Sequence, residues 1–385
     1  MELRKFVAPE IISGYQASLL VGRYLKHFAS RCPMVVTDQN LVQYDWFTQI
    51  MESIREAVDD VILYTEVTVN PKDYEAMKGA EIFLSKNCDL IIAIGGGSPM
   101  DCAKCISIVS TNGGHILDYE GVDVINLPGP PLICIPTTAG TSADVSQFAI
   151  INDVEQQLKK TIISKKVVPD LALIDPVPLM TKDRYLTACT GIDALTHAIE
   201  AYVSNAQSPI TDVHALEAIK LVHENLIEAC SAKRSIETMY KMMIASLSAG
   251  LAFSNASLGA VHALAHSLGG RLNLAHGECN SILLDRVIDI NYTSATKRYD
   301  TIAQIFGIDI NQGRTKEALI QYIQNIRKTL NIHDQIIVSD IDIHEEAREM
   351  LLQDLVEGAI NDPCMVTNPK QLSEAEVRYI YEQIL

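Results

Sequence analysis

The chain lacks an excess of basic residues: 31 Lys and Arg stand against 48 Asp and Glu, a formal net charge of −17. No basic patch is therefore available to neutralise a phosphate backbone, which argues against nucleic acid as a partner. It also lacks any apolar run approaching the ~20 residues needed to span a bilayer, and Met-Glu-Leu-Arg-Lys at its start has no signal-peptide core. A cytoplasmic location without a membrane partner is the expectation. Paired cysteine spacing is scarce too. Nine cysteines, an odd number, are scattered through 385 residues, as reduced thiols would be. The one C-x-x-C, Cys102-Ala-Lys-Cys105, has no second pair to complete a zinc site and falls inside a helical stretch. Low-complexity linkers and internal repeats are absent. A hydrophobic fraction of 48% in a chain of this length suffices for two domains with buried cores.

The chain does carry histidine at metal-ligand spacing. Asp193-Ala-Leu-Thr-His197 is answered by Val261-His262-Ala-Leu-Ala-His266 and by Ala275-His276-Gly277. Residues four apart stack on one helix face, so Asp193 and His197 can grip one ion from one side while His262 and His266 share a face on a second helix. Gly277 reads as a turn or helix end that returns His276 to the same place. Imidazole with carboxylate suits Fe²⁺ or Zn²⁺, whereas Mg²⁺ and Ca²⁺ want mostly oxygen. A single histidine on an apolar helix face is ordinarily a core residue satisfied by a carbonyl, and His27, His115, His214, His223, His333 and His344, which lack clustering, are read as surface or structural.

A second constellation lies upstream. The apolar run before Ile94 breaks into Gly95-Gly96-Gly97 and then Ser98-Pro99-Met100-Asp101, read as a strand, a glycine turn and a helix start with Ser98 at the cap and Pro99 in the first turn. Glycines let a backbone approach a phosphate, and helix N–H groups favour its charge. Pro136-Thr137-Thr138-Ala139-Gly140-Thr141-Ser142 repeats the pattern with small hydroxyl residues at a strand end. Together they imply a nucleotide. Asp38 ends the strand Met34–Asp38, where an acid can bind ribose hydroxyls and repel the 2′-phosphate of NADP; a helix cap for the segment starting near Val42 is the alternative.

Strands are expected at Met34–Asp38, Val61–Glu66, Leu90–Ile94, Leu132–Pro136, Gln147–Asn152 and Leu171–Asp175, alternating with helices, the grammar of an α/β sheet. After the punctuation Asp175-Pro-Val-Pro178 come long helical patterns, including Pro209–Ala229 and Ile236–Ser254. The expected organisation is an α/β dinucleotide-binding domain over 1–180 and an all-helical metal-binding, catalytic domain over 181–385, with the nucleotide laid against the metal in a cleft.

In order and spacing, Gly95-Gly-Gly-Ser-Pro-Met-Asp101-Cys-Ala-Lys104, Pro136-Thr-Thr-Ala-Gly-Thr-Ser142, Thr190-Gly-Ile-Asp193-Ala-Leu-Thr-His197-Ala-Ile-Glu200-Ala-Tyr202, and Gly250 through Asn280 resemble the iron-containing alcohol dehydrogenases, group III, over roughly residues 1 to 380. The resemblance implies the dehydroquinate synthase-like fold. It implies that Asp193, His197, His262 and His276 bind the metal, Fe²⁺ or else Zn²⁺, with His266 beside it near the nicotinamide and suited to proton transfer. It also implies that Asp38, Gly96, Gly97, Ser98, Thr137, Thr138, Thr141, Lys159 and Leu179 touch NAD. Lys159 adjoins Lys160, and a shift of one residue would exchange their roles. The family's usual proline before the last ligand is replaced by Ala275. The implied activity is hydride transfer between NAD and a small alcohol or diol, in a homodimer or larger homo-oligomer with only small-molecule alcohol or aldehyde partners. A zinc polyol dehydrogenase of the glycerol type and a non-catalytic sensor are the alternatives. A lyase of the dehydroquinate synthase kind would need a basic pocket, and no Lys/Arg cluster surrounds the metal motifs.

Overall fold

The computed structural model describes residues 5–156, 158–272, 274–336 and 345–385. They form two units. The first, residues 6–182 with 235–250, is built on a parallel sheet because its β-branched runs are apolar on both faces. Six strands, β1 (Glu10–Ser13), β2 (Pro33–Val36), β3 (Ile62–Tyr64), β4 (Leu90–Gly95), β6 (Leu132–Pro136) and β9 (Leu171–Ile174), lie in the order β1-β9-β6-β4-β2-β3. All their pairings are parallel.

The two-residue period of β4 divides the core. Leu90, Ile92 and Ile94 pack with Val35, Ile133 and Ile135 under α1 (Val21–His27) and α2 (Asp45–Arg55). Ile91 and Ala93 pack with Met34, Val36 and Cys134 under α3 (Asp73–Ser85) and α4 (Gly97–Asn112). Chain order runs outward from β2 to β3, then returns to β4 and continues through β6 to β9. The direction thus reverses between β2 and β4, and in an open parallel sheet a ligand seats at the carboxyl ends of the strands that flank such a reversal.

Gln147–Asn152 does not join this sheet. It becomes β7 (Phe148–Asp153), antiparallel to β8 (Leu158–Ile163), with β5 (Gly121–Val122) completing a separate three-stranded sheet. Strands β1, β5 and β8 were not expected from the sequence; β5 and β1 are only two and four residues long. Polar Lys159-Lys160-Thr161 interrupts the apolar pattern of β8.

The second unit, residues 183–234 with 251–385, is helical throughout among the described residues. It contains α5 (Arg184–Val203), α6 (Pro209–Ala229), the end of α7 (Ile236–Ala256), α8 (Ala260–Leu272), α9 (His276–Asn291), α10 (Thr296–Ile305), α11 (Thr315–Thr329), α12 (Glu345–Asn361) and α13 (Glu374–Glu382). The start of α7 packs with the first unit, which departs from a division at 180. Ser142 Oγ donates to the Ser246 carbonyl at 2.6 Å, and a Cβ on Gly250 would lie 2.5 Å from that of Ser142, so small residues draw this helix onto the loop after β6. Two further expectations change. Helix α4 starts at Gly97 with Gly96 as its cap, so Ser98 is not the cap residue; its Oγ accepts the Asn70 N–H at 3.2 Å instead. Gly277 lies within the first turn of α9 and ends no helix. His344 lies outside the described residues. Among those described, no single helix is long and apolar enough to cross a membrane.

The contact of α1 with α2 depends on Gly22, where an added Cβ would lie 2.2 Å from the Ser53 carbonyl oxygen and 2.8 Å from its hydroxyl. Because the nearest atom is backbone, rotamer changes cannot relieve the overlap. Gly22→Ala should therefore cost about 1–3 kcal/mol in denaturant unfolding, the usual range for overpacking. Unchanged stability would show that the two helices can separate freely.

Candidate functional site

In the helical unit, Asp193, His197 and Glu200 recur on one face of α5 at intervals of four and three residues, and all are buried. Helix α8 supplies His262 and His266, and the first turn of α9 supplies His276. Close approach of α9 to α5 requires glycine at 277, where a Cβ would lie 2.6 Å from the Cys189 carbonyl oxygen. That contact, rather than a turn, brings His276 in.

The four donors of Asp193, His197, His262 and His276 lie within 4.8 Å of one another. Asp193 Oδ1 is 4.0 Å from His197 Nε2 and 3.8 Å from Nε2 of both His262 and His276. Tetrahedral ligands at the ~2.1 Å bond lengths of Zn²⁺ are about 3.4 Å apart, so a small contraction of this set would enclose a divalent ion. The donor chemistry fits Fe²⁺ or Zn²⁺. Burial acts to raise the Asp193 carboxyl, but His197, His276 and His262 together hold it well below the usual carboxylate range. Burial likewise opposes charge on His262, yet the nearby Asp193 carboxylate and the Glu200 carboxylate paired with its Nδ1 push it up to about 9. Asp193 therefore stays ionised, as a metal donor must.

Outer partners orient the imidazoles. Glu200 Oε2 pairs with His262 Nδ1 at 2.6 Å, which directs Nε2 to the donor cluster, and Oε1 accepts the Val261 N–H, also at 2.6 Å. Asn368 Oδ1 accepts the Ala260 N–H at 3.1 Å, so two remote side chains satisfy the otherwise unpaired first turn of α8. His197 stacks between Phe253 and His262, with ring centroids 4.3 and 4.4 Å away. Asn280 lies against the donors, its Nδ2 2.6 Å from Asp193 Oδ1 and 3.1 Å from His262 Nε2. His266 is held differently. Its Nδ1 pairs with Asp362 Oδ2 at 2.8 Å, its ring stacks on His276 at 5.4 Å, and its buried Nε2 has no hydrogen-bond partner. Burial works to raise Asp362, while the His266 pairing and the Cys364 N–H keep it low.

Glu200, Asn280 and Asp362 were not singled out as site residues from the sequence. The first could have been, since it continues the α5 stripe three residues after His197. Asp362 lies 96 residues from its partner and carries no local signal.

In the α/β unit, the glycine turn after β4 meets the loop after β6. The Thr137 N–H donates to the Gly95 carbonyl at 2.8 Å. A Cβ on Gly96 would meet Thr138 at 3.2 Å and one on Gly97 would meet Thr141 at 3.0 Å, so these four residues form one cradle. The hydroxyls of Thr37 and Thr137, buried at the ends of β2 and β6, have no hydrogen-bond partner. Exposed helix-start amides, close backbone and unspent hydroxyls suit a phosphate-bearing nucleotide. Asp38 stands partly buried at the end of β2, next to β4 in the sheet, and its Oδ1 accepts the Asn40 N–H at 2.9 Å. The segment near Val42 is a 3-10 turn, Leu41–Gln43, whose cap position is Asn40 rather than Asp38, and α2 starts at Asp45.

The alternation of β8 separates the two lysines. Lys160 pairs with Glu120 at 3.1 Å, whereas Lys159 acts on Asp101 in the first turns of α4. Burial pushes Asp101 up to about 7 against the opposing influence of Lys104, the Ile150 N–H and Lys159. Lys104 is fully buried and donates to the carbonyls of Ser146 and Phe148 at 3.0 and 2.7 Å, tying α4 to the edge of the small sheet. Leu179 is buried in the turn after β9.

Comparison with known proteins agrees with this arrangement. The chain is 34% identical over 383 residues to an NAD-dependent methanol dehydrogenase of Bacillus methanolicus, covering 99% of each chain. It is 39% identical to alcohol dehydrogenase 4 of Schizosaccharomyces pombe over 94% of this chain and 85% of that one. A solved 1,3-propanediol oxidoreductase superposes with a TM-score of 0.93 at 32% identity, covering 100% of both chains. Residues 8–176 match the profile described as iron-containing alcohol dehydrogenase, and residues 187–385 match that of the Fe-containing alcohol dehydrogenase family, C-terminal. The chain therefore belongs to the iron-containing alcohol dehydrogenase family.

Proposed function

We propose that this protein is a metal-dependent alcohol dehydrogenase that moves a hydride between NAD and a small primary or secondary alcohol or diol. The observation that carries this reading is the set of buried Asp193, His197 and His262 with partly buried His276, one carboxylate and three imidazoles within 4.8 Å. These residues would hold Fe²⁺. When bound, the ion supplies Lewis acidity that polarises the alcohol or carbonyl oxygen, and NAD supplies the hydride acceptor.

The chain's own residues do the rest. Glu200 keeps the proton of His262 on Nδ1, so that Nε2 presents its lone pair as a donor. Asp362 does the same for His266, leaving the unpartnered Nε2 to accept the alcohol proton in one direction and return it in the other. Stacking on His276 fixes the plane of that ring. At the carboxyl ends of β4 and β6, Gly96, Gly97 and Ser98 would hold the diphosphate with the hydroxyls of Thr137, Thr138 and Thr141, and Lys159 and Leu179 would complete the cofactor contacts. Asp38 takes the ribose hydroxyls and disfavours a 2′-phosphate. By the same proposal it is a cytoplasmic enzyme that works as a homodimer or larger homo-oligomer. Anaerobic purification with metal analysis, followed by a panel of short alcohols, diols and aldehydes monitored at NADH absorbance, tests the whole reading; metal-loaded protein with no turnover of NAD on any of them would refute it.

Four substitutions separate the roles. His262→Ala should lose bound metal and activity together, whereas His266→Ala should keep most of the metal and lose ~10²–10⁴-fold in kcat, the range for a positioned acid–base group. Metal stoichiometry of the two purified variants decides, and the reverse pattern would exchange the assignments. Glu200→Gln should weaken metal binding by about 10–100-fold, as loss of an outer hydrogen bond to a ligand imidazole does, measured by competition with a chelator. Asp38→Gly should raise kcat/KM with NADP relative to NAD; a wild type that already prefers NADP would remove Asp38 from the ribose site.

A further inference from the structure

Seven of the nine cysteines are buried; Cys32 and Cys88 alone are partly exposed, and they are neighbours. Their sulfurs lie 4.0 Å apart although the residues are 56 positions apart in the chain. Cys32 immediately precedes β2, and Cys88 lies two residues before β4, at the amino ends of adjacent parallel strands whose register pairs Pro33 with Leu90. Asp89 clamps the two segments together. Its carboxylate accepts the Ser30 hydroxyl at 2.6 Å and the N–H groups of Arg31 and Cys32 at 2.7 and 3.3 Å, and its own N–H donates to the Cys32 carbonyl at 3.2 Å. The metal site and the cofactor cradle use neither thiol.

We propose that Cys32 and Cys88 form a dithiol modification site that reacts with hydrogen peroxide and closes to a reversible disulfide. An S–S bond is roughly 2.0 Å long, so about 2 Å of approach remains, and closure requires Cys32 to give up its weak 3.8 Å contact to the Lys86 carbonyl. Burial, and then the adjacent Cys32, push the Cys88 thiol up to about 12. Cys88 therefore stays protonated while Cys32 attacks first. The Cys32 thiolate takes one peroxide oxygen, giving sulfenic acid and, with a proton, one water. The Cys88 sulfur then displaces the sulfenic hydroxyl, forming the S–S bond and releasing a second water. Two thiols lose two electrons and two protons, and one peroxide is reduced to two waters. The bond would tie the amino ends of β2 and β4 at the sheet edge opposite Asp38 and the glycine turn, so the cradle is spared.

The test treats the reduced full-length protein with hydrogen peroxide, quenches it with catalase, and maps alkylated peptides without reductant. Expected is one species in which the Cys32 and Cys88 peptides are joined, lighter than their sum by two hydrogens and separated by dithiothreitol. Cys88→Ser should instead leave Cys32 as a sulfenic acid that dimedone traps, and Cys32→Ser should leave Cys88 a free thiol. Recovery of both as thiols, or of Cys32 as sulfinate with Cys88 free, would overturn the proposal. So would a thermal midpoint lower in the oxidised wild type than in equally treated Cys88→Ser, because the pair would then join only after local unfolding.

Discussion

The helical unit is organised by the need to bury acids. Asp193 and Glu200 lie on one face of α5 at 1% and 4% exposure, and an isolated carboxylate in such surroundings would take up a proton or unfold its environment. Neither is isolated. Three imidazoles surround Asp193, while Glu200 is held by the His262 ring and the Val261 amide. Two helix contacts are tied to these pairings: α8 starts where Glu200 and Asn368 can satisfy its first amides, and α9 approaches α5 closely enough to require Gly277. The arrangement is costly if any partner is lost, because the remaining charge has no water to turn to. The outer acids are therefore as much a part of the site as the donors they orient.

The α/β unit meets the opposite demand, for polar groups left without protein partners. Its sheet is apolar on both faces and its strands are satisfied by one another, yet at the carboxyl ends of β2 and β6 the hydroxyls of Thr37 and Thr137 are buried and unpaired. The glycine turn between them keeps side chains away from the start of α4. Two buried hydroxyls left without protein partners beside a helix start are poised for a ligand rich in acceptors. Lys104 shows how the same helix is anchored: a buried ammonium is tolerated because two carbonyls and the Ser146 hydroxyl receive it.

Local periodicity made much of the fold and the site legible. Four-residue spacing on apolar helices marked Asp193, His197, His262 and His266, and the break of an apolar run into Gly95-Gly96-Gly97 marked the cradle. Leu132–Pro136 and Pro209–Ala229 have the ends expected of them, since proline and serine punctuation bounds them locally. Where the signal was weak the reading went astray. β8 carries a lysine pair in mid-strand, and the Phe148–Asp153 strand is apolar enough for the main sheet but pairs elsewhere. Ser98 and Gly277 have the composition of a helix cap and a helix end, yet both lie inside helices, because α4 is capped by Gly96 and α9 begins at His276.

By itself the sequence determined which side chains could share a helix face and where strands end in glycine or hydroxyl. Those are short-range properties, set by the 3.6- and 2-residue periods and by backbone freedom at glycine. Tertiary structure alone decided that His262 turns its Nδ1 to Glu200, that Asp362 reaches His266 from 96 residues away, that Lys159 rather than Lys160 faces Asp101, and that α7 begins in one unit and ends in the other. No local pattern encodes such partnerships. They arise because a buried polar group must find a partner wherever the packed chain provides one.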